Sequence, residues 1–214
     1  MGHKSWQVEL SLIIGMALSV FCAGFCNFAN EYKGITDTVF RLHILANSDS
    51  EEDQELKLKV RDRVLEETAD LFADKSSAAE SAAAAEKNLD SIRRTAEKVI
   101  RENGYDYSVS CEVTEMKFNR REYDSLTMPA GEYSALRITI GDAEGKNWWC
   151  VMFPPLCIPA VTDIDEALAE YDGVFTAEEL DMLQNPENYE CRFYFLELIQ
   201  KTEEFLHKKT DSVS

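Results

Sequence analysis

The chain has 214 residues, with 22 Lys and Arg against 40 Asp and Glu, so its formal charge at pH 7 is −18. Hydrophobic residues make up 45% of the sequence, which excludes collagen, linker-like chains and polar disordered chains. The charge argues against nucleic acid as a partner, because a phosphate backbone must be neutralised by clustered Lys and Arg. The same repulsion disfavours binding to an anionic membrane surface.

The start of the chain predicts export. A charge-free apolar run begins at Leu10, after the basic Lys4, and small or polar residues follow it. This pattern is typical of a secretory signal peptide, but the run up to Ala29 also approaches the length of a membrane-spanning helix. We expect residues 1–29 to be a signal peptide or an uncleaved N-terminal anchor. In both cases residues 30–214 form a single domain outside the cytoplasmic membrane.

The first predicted elements are a strand and two helices. Residues 39–45 alternate between apolar and polar side chains, which is the period of a half-buried strand. Capping and first-turn acidic residues at 47–53 then predict a helix over residues 51–73. Four basic side chains of this helix are expected on a solvated face: Lys57, Lys59, Arg61 and Arg63. A capping box at residues 77–80 opens a second, alanine-rich helix that ends at Gly104.

Strands dominate the next part of the chain. Apolar and polar residues alternate over 105–113 and again over 133–140. The turn at 141–147 leads into residues 148–153, so these last two segments are predicted to form a hairpin. The resulting order predicts an α+β domain with a small, mainly antiparallel sheet. Two helices are inserted between its first and second strands, and the helices pack on one face.

The tail of the domain, residues 158–214, is acidic and predicted to be helical. A cap from Thr176 to Glu179 predicts one short helix, and a second is expected from about residue 193 to 209. A short strand over residues 191–195 is the alternative to the start of that second helix, because apolar side chains alternate there.

The exported part contains four cysteines, Cys111, Cys150, Cys157 and Cys191. An even number in an oxidising compartment suggests disulfides. Cys150 and Cys157 bracket two adjacent prolines that force a turn, so we favour this pair, with Cys111–Cys191 as the remainder. The alternative is that all four are reduced core cysteines.

No catalytic residue, metal ligand or cofactor site is predicted. The three histidines, His3, His43 and His207, are too few and too far apart for a zinc cluster. A thiol–imidazole pair with His43 requires a reduced cysteine, which export disfavours, so a strand histidine is preferred. Residues 47–53 offer oxygen ligands but lack the mid-loop glycine and closing glutamate of a calcium loop, so helix capping is preferred. Phosphate-binding and hydrolase nucleophile motifs are absent from the sequence.

Two adjacent tryptophans introduce a segment that predicts a protein contact surface. Trp148 and Trp149 point to opposite faces of their strand, so at most one of them enters the core beside the helices. Phe153 is followed by Pro154 and Pro155, which end the strand in a rigid loop. Rigid aromatic and proline side chains lose little entropy on binding. The alternative is that the tail helices cover this face completely.

Four stretches of residues 41–157 resemble stage II sporulation protein R, a family of endospore-forming bacteria. They are Arg41-Leu-His-Ile-Leu-Ala-Asn-Ser-Asp-Ser50; Asp53-Gln54 with Leu56-Lys57 and Val60-Arg-Asp62; Met128-Pro-Ala-Gly-Glu-Tyr133 with Ala135-Leu-Arg-Ile138 and Ile140-Gly141; and Asn147-Trp-Trp-Cys-Val-Met-Phe-Pro-Pro-Leu-Cys157. The last is the most specific, because its tryptophans, prolines and cysteines rarely coincide at this spacing. Beyond residue 157 the likeness weakens, and Cys111 and Cys191 look peculiar to this chain.

The resemblance implies a non-catalytic signal between cells. Family members look like proteins exported from the forespore into the space between two membranes. There they activate a membrane-embedded aspartic protease of the mother cell, which processes the precursor of sporulation sigma factor E. This implies no cofactor, no small-molecule substrate, and membrane contact only through a retained leader. We predict that the contact surface joins Asn47, Ser48 and Asp49 to residues 148–155. A cell-wall-binding module or wall hydrolase is the alternative function.

Overall fold

A computed structural model of the chain describes residues 2–123, 126–156, 173–196, 198–199 and 202. Its elements in chain order are α1 (Gly2–Thr38), β1 (Phe40–Leu45), α2 (Glu51–Ala73), α3 (Ala78–Lys87), α4 (Leu89–Glu102), β2 (Val109–Phe118), β3 (Arg121–Tyr123), β4 (Leu126–Met128), β5 (Gly131–Ile140), β6 (Asn147–Phe153) and α5 (Ala177–Gln184). A 3-10 turn, Pro186–Tyr189, leads into the helical residues 190–196.

The central sheet has four strands in the order β2-β5-β1-β6. β1 pairs in parallel with β5 on one side and antiparallel with β6 on the other, and β2 pairs antiparallel with β5. β3 and β4 form a separate two-stranded sheet. The predicted α+β class is confirmed, but the sheet is mixed. The predicted hairpin of β5 and β6 is wrong because β1 lies between these two strands.

β1 is a central strand whose side chains are buried on both faces of the sheet. Leu42 and Ile44 face one side, and Arg41 and His43 face the other, where each is no more than 3% exposed. The sequence predicted a half-buried strand because arginine and histidine occupy the alternate positions. A strand that is covered on both faces has to lie inside the sheet, which explains its position between β5 and β6.

Three helices, rather than the predicted two, separate β1 from β2. The bounds of α2 agree with the prediction, and its N-cap Ser50 accepts a hydrogen bond from the backbone N–H of Asp53 at 3.2 Å. The predicted second helix is interrupted at Asn88, which caps both α3 and α4 and donates its side-chain amide to Ala84 O. Gly104, with φ of 85°, follows the end of α4.

Helices cover both faces of the sheet, whereas the sequence predicted one covered face. α2, α3 and α4 pack on the Leu42 face and enclose a core that contains Val60, Ile92 and Ile100. α1 and α5 pack on the opposite face with Ile35 and Leu183 among its buried residues. The predicted cap of α5 is confirmed as a complete capping box from Thr176 to Glu179.

The helix α1 continues from the apolar leader into the domain. One apolar helical stretch, Trp6–Thr38, is long enough to cross a membrane. Its side chains are exposed as far as Phe21, but Phe28 is 2% exposed and Ile35 is fully buried in the second core. The predicted boundary between leader and domain at residue 30 therefore falls inside a helix whose preceding turn already belongs to the core.

The described part of the tail is helical. Residues 190–196 form a helix, so the alternative of a strand over residues 191–195 is wrong. The predicted helix from residue 193 to 209 is therefore supported at its start. Residues 157–172 and most of those from 200 onward lie outside the described part of the chain.

We expect Phe28→Ala to lower the free energy of unfolding by about 3–5 kcal/mol, because it deletes a large buried ring. Phe21→Ala is the matched control, since it removes the same ring from a position that is 59% exposed, and it should change that free energy by about 1 kcal/mol or less. Urea titration of the full chain in nonionic detergent, followed by tryptophan fluorescence, measures both. Equal effects of the two substitutions would contradict the assignment of Phe28 to the core.

Candidate protein-contact site

Trp148 and Trp149 lie on opposite faces of β6, as predicted, and both are half-buried. β6 is an edge strand of the central sheet in the described part of the chain. Trp148 packs on the α2 side, where the guanidinium carbon of Arg61 lies 4.3 Å from the centroid of its ring. Arg61 and Lys57 are buried on α2, which corrects their predicted position on a solvated face.

Trp149 covers a buried histidine on the other side of the sheet. Its indole is stacked on the imidazole of His43, with 4.0 Å between ring centroids and 8° between planes. The ring of Phe118 meets the same indole edge-on at 4.7 Å. Arg121 lies over the indole at 5.8 Å and is itself exposed. Together with Asn147, two residues earlier on β6, Trp149 and Arg121 form what we call the Trp149 patch.

His43 is held as a neutral imidazole. Its Nε2–H donates to Oδ1 of Asn147 at 2.6 Å, and its Nδ1 is buried without a hydrogen-bond partner among the described residues. Burial lowers the pKa of His43, the hydrogen bond that its Nε2–H donates to Asn147 opposes this, and the charge of Arg137 adds to the lowering. Cys150 faces the opposite side of the sheet and is disulfide-bonded, so it forms no catalytic pair with His43.

Arg41, next to His43 on the same face, lies in an aromatic cage. Its guanidinium carbon is 4.1 Å from the ring centroid of Phe118 and 4.9 Å from that of Tyr133. Nη2 donates to the hydroxyl of Tyr123 at 2.5 Å, and burial lowers the pKa of the guanidinium. Cation–π attraction is strongest when the cation has been removed from water, as here. The sequence did not reveal this cage, because its rings come from three separate strands.

The predicted contact turn is largely committed to bonds within the domain. The side chains of Asn47 and Ser48 donate to Oδ2 of Asp53 at 2.9 and 2.6 Å. Asp49 accepts from the backbone N–H of Lys146 at 2.7 Å, so the turn connects the start of α2 to the segment between β5 and β6. Of the three predicted residues only Asp49 is exposed. These bonds agree with the capping interpretation of the segment.

The end of β6 does not supply the predicted exposed knob. Phe153 is 1% exposed and belongs to the core under α2, and Pro154, joined to it by a cis peptide bond, is also buried. These two residues are therefore removed from the predicted contact surface. Pro155 is half-buried. The physical reason is that helices cover this face of β6, where the Nε1 of Trp148 is also buried, whereas Trp149 lies on the other face under the exposed Arg121.

The predicted second disulfide is wrong. Cys111 and Cys191 are both free, because Cys111 packs against the core on the α2 side and Cys191 lies in the C-terminal helix on the other side of the sheet. Burial raises the pKa of Cys111 to about 12, so this thiol stays protonated. Cys150 is disulfide-bonded. Its predicted partner Cys157 lies outside the described residues, so that pairing stays a prediction.

The fold and the patch define an α+β domain that is continuous with a long apolar N-terminal helix and carries an arginine-flanked tryptophan at the edge of its sheet. Among the described residues, no group of three or more His, Cys, Asp or Glu side chains is placed to hold a metal ion.

The family model of stage II sporulation protein R matches residues 36–163, and the chain belongs to this family. Stage II sporulation protein R of Bacillus subtilis (strain 168) is 41% identical to it over 128 residues. That alignment covers 60% of this chain and 57% of the relative. No solved structure matches the chain at a significant level. The Trp149 patch lies entirely within the matched residues.

We expect Asp53→Asn to lower the free energy of unfolding by about 1–3 kcal/mol near pH 7, because it disrupts a buried carboxylate that accepts several hydrogen bonds. Burial alone would raise the pKa of Asp53, but bonds from Ser48, Asn47 and Tyr107 outweigh it and lower the pKa. The carboxylate therefore stabilises the fold above its unfolded pKa of about 3.9, and this stabilisation is lost as pH falls through the lower folded value.

Urea titrations between neutral and acidic pH measure this effect. The difference between wild type and Asp53→Asn should narrow below about pH 4. Glu52→Gln is the control, because Glu52 lies in the same turn of α2 but is exposed. A difference between wild type and Asp53→Asn that stays constant with pH would contradict the role given to the carboxylate.

Alkylation of the unfolded, unreduced chain tests the remaining disulfide. We expect Cys22, Cys26, Cys111 and Cys191 to be labelled and Cys150 and Cys157 to be protected, with all six labelled after reduction. Peptide mass spectrometry identifies each site. A ring this short contributes about 2.5 kcal/mol by loop entropy. Labelling of Cys157 without reduction would show that Cys150 is not paired with it.

Proposed function

We propose that this protein is a non-catalytic signal that acts outside the cytoplasmic membrane, from the forespore toward the mother cell. Its receptor is a membrane-embedded aspartic protease, which then processes the precursor of sporulation sigma factor E. Membership of the stage II sporulation protein R family carries this proposal. The long apolar helix α1 supports the location, because it fits an export signal or a membrane anchor.

The Trp149 patch is the contact surface that the described residues favour. Tryptophan and arginine are enriched among the residues that dominate binding energy, and here an exposed Arg121 lies over a half-exposed Trp149. The indole is fixed by its stack on His43, so little rotamer entropy is lost when a partner covers it. Arg121 is also a local positive charge on a chain whose net charge is −18, which suits an acidic group on the receptor.

Activation follows from preferential binding to the active state of the receptor. A ligand shifts a conformational equilibrium only by the difference between its affinities for the two states. Moving a protease from about 1% to about 99% active requires roughly 5.5 kcal/mol of such preference. One buried tryptophan anchor can supply about 2–4 kcal/mol of binding energy. The patch can therefore provide a large part, but not all, of the required preference for the active state.

Neighbouring substitutions on β6 test the patch. We expect Trp149→Leu to reduce precursor processing at least about tenfold, because a binding anchor is lost. Trp148→Leu is the matched control, since it removes the same side chain type from the opposite face. Arg121→Ser, at an exposed position, should weaken processing without affecting folding. The measurement is an immunoblot of the precursor when the exported chain, the protease and the precursor are co-produced in a non-sporulating host.

Two results would overturn parts of this proposal. Equal processing by the Trp148 and Trp149 variants, at equal amounts of protease-resistant folded protein, would mean that the patch is not the contact surface. Absence of processing with the folded wild-type chain and both other components would remove the signalling function itself. Co-sedimentation of the chain with isolated peptidoglycan would then favour the wall-binding alternative.

A further inference from the structure

The helical residues 190–196, 198 and 199, which we call the C-terminal segment, begin beside α1 and extend toward its apolar end. The ring of Phe193 is 5.2 Å from that of Phe28, inside the second core. The ring of Phe195 is 6.4 Å from that of Phe21. Phe21 precedes Phe28 by two helical turns, or about 10 Å along α1. The C-terminal segment therefore leaves the domain core and runs beside the exposed part of α1.

This exposed part of α1 has the properties of a membrane span. Residues 10–24 are exposed and carry no charge, and with residues 6–9 they form an exposed helix about 28 Å long, close to the thickness of the hydrocarbon layer. The large apolar side chains from Trp6 to Phe21 are exposed. Phe21 lies within this charge-free stretch, so a segment that contacts Phe21 lies at the depth of the span.

The C-terminal segment carries an apolar face that the described domain leaves uncovered. Its large hydrophobic side chains are between 46% and 66% exposed: Tyr194, Phe195, Leu198 and Ile199. Leu198 and Ile199 are also helical and follow Phe195 by three and four positions in the sequence. The exposed face is thus continuous with the exposed apolar surface of α1, and one apolar environment suits both.

The packing of Phe28 links α1 to the domain. Its ring is stacked on Tyr189 with 6.1 Å between centroids and also meets Phe193. Cleavage at the end of the apolar run would remove Phe28 from this cluster and uncover the C-terminal segment. The domain is therefore complete only when this turn of α1 is present.

We propose that α1 is retained as a membrane anchor and that the C-terminal segment, with Tyr194, Phe195, Leu198 and Ile199, inserts its apolar face into the same bilayer beside it. The occupant is lipid. Because the chain carries a charge of −18, attraction to anionic headgroups does not drive this contact, and neutral lipid is sufficient. Tyr194 is suited to the interfacial layer, where an aromatic ring can be buried while its hydroxyl stays hydrated.

Mass spectrometry of the full chain, purified from the membranes of an exporting host, tests the anchor. We expect peptides from the segment that precedes Phe28 to be present in the mature protein. A mature N-terminus beyond Phe28, found in all of the folded protein, would overturn the proposal. This measurement does not involve the protease, so its result is independent of the proposed function.

Site-specific fluorescence tests the contact of the C-terminal segment. An environment-sensitive label is attached through Leu198→Cys, with Leu12→Cys as the label within the span and Glu102→Cys as the exposed control on α4. The native free cysteines are replaced by alanine in each variant: Cys22, Cys26, Cys111 and Cys191. The full chains are reconstituted in phosphatidylcholine vesicles that contain a lipid with a nitroxide on its acyl chain.

We expect the nitroxide to quench the labels at positions 12 and 198 several-fold more than the label at position 102, and raised salt to leave this pattern unchanged. Quenching at position 198 no stronger than at position 102, while position 12 is quenched, would overturn the membrane contact. Crosslinking of position 198 to a second copy of the chain, with no quenching there, would overturn it in favour of self-association.

Discussion

The burial of two basic side chains on β1 constrains the rest of the fold. Arg41 and His43 are buried on the same face of β1, a central strand of the sheet. A buried guanidinium that lacks a carboxylate is expensive unless its charge is met by other electron-rich groups. In the described residues, aromatic rings of Phe118, Tyr133 and Tyr123 meet it. The β3–β4 sheet is thereby tied to the central sheet through Tyr123.

The same constraint determines how the two tryptophans of β6 are packed. His43 needs a cover that removes it from water, and Trp149 provides it by stacking flat on the imidazole. The indole therefore has one face committed to the fold, although the residue as a whole is only half-buried. Trp148, on the other face, is stacked under Arg61 and its Nε1 is buried. The two tryptophans are adjacent in sequence but differ in what a partner can reach.

Local signals predicted the parts of the fold that depend on local chemistry. Ser50 and Thr176 were recognisable as helix N-caps because an N-cap requires only a short polar side chain and the next turn of backbone. The placement of Trp148 and Trp149 on opposite faces of β6 could be predicted because successive side chains alternate along a strand. The interruption at Asn88 was missed because an alanine-rich stretch has high helical propensity throughout, and a mid-helix asparagine is a weak break.

Nonlocal pairing accounts for what the sequence did not reveal. The segments β5 and β6 looked like a hairpin because a turn of residues 141–147 joins them, yet β1, from about a hundred residues earlier, is inserted between them. β1 lies in the middle of the sheet because both of its faces are covered. The cover on the Arg41 and His43 face consists of aromatic rings, and the alternation of side chains along a strand does not predict where those rings lie. The bonding of the turn at residues 47–49 was also not evident from the sequence, and its role as a contact surface stays a prediction. Asn47 and Ser48 are polar residues at a surface, but their bonding groups are used by Asp53.

The helix α1 connects the domain that carries the Trp149 patch to the apolar N-terminal part of the chain without an intervening loop. A helix that is rigidly packed at Phe28 and Ile35 transmits the orientation of its apolar half to the domain, since no loop lies between them. With α1 retained in the membrane, as proposed, the domain would sample a thin layer next to the bilayer rather than a volume, which would raise its effective concentration toward a partner in the facing or same membrane. Under the proposed function, such tethering would let a small patch, such as Trp149 with Arg121, bind the receptor with less buried area than a freely diffusing signal needs.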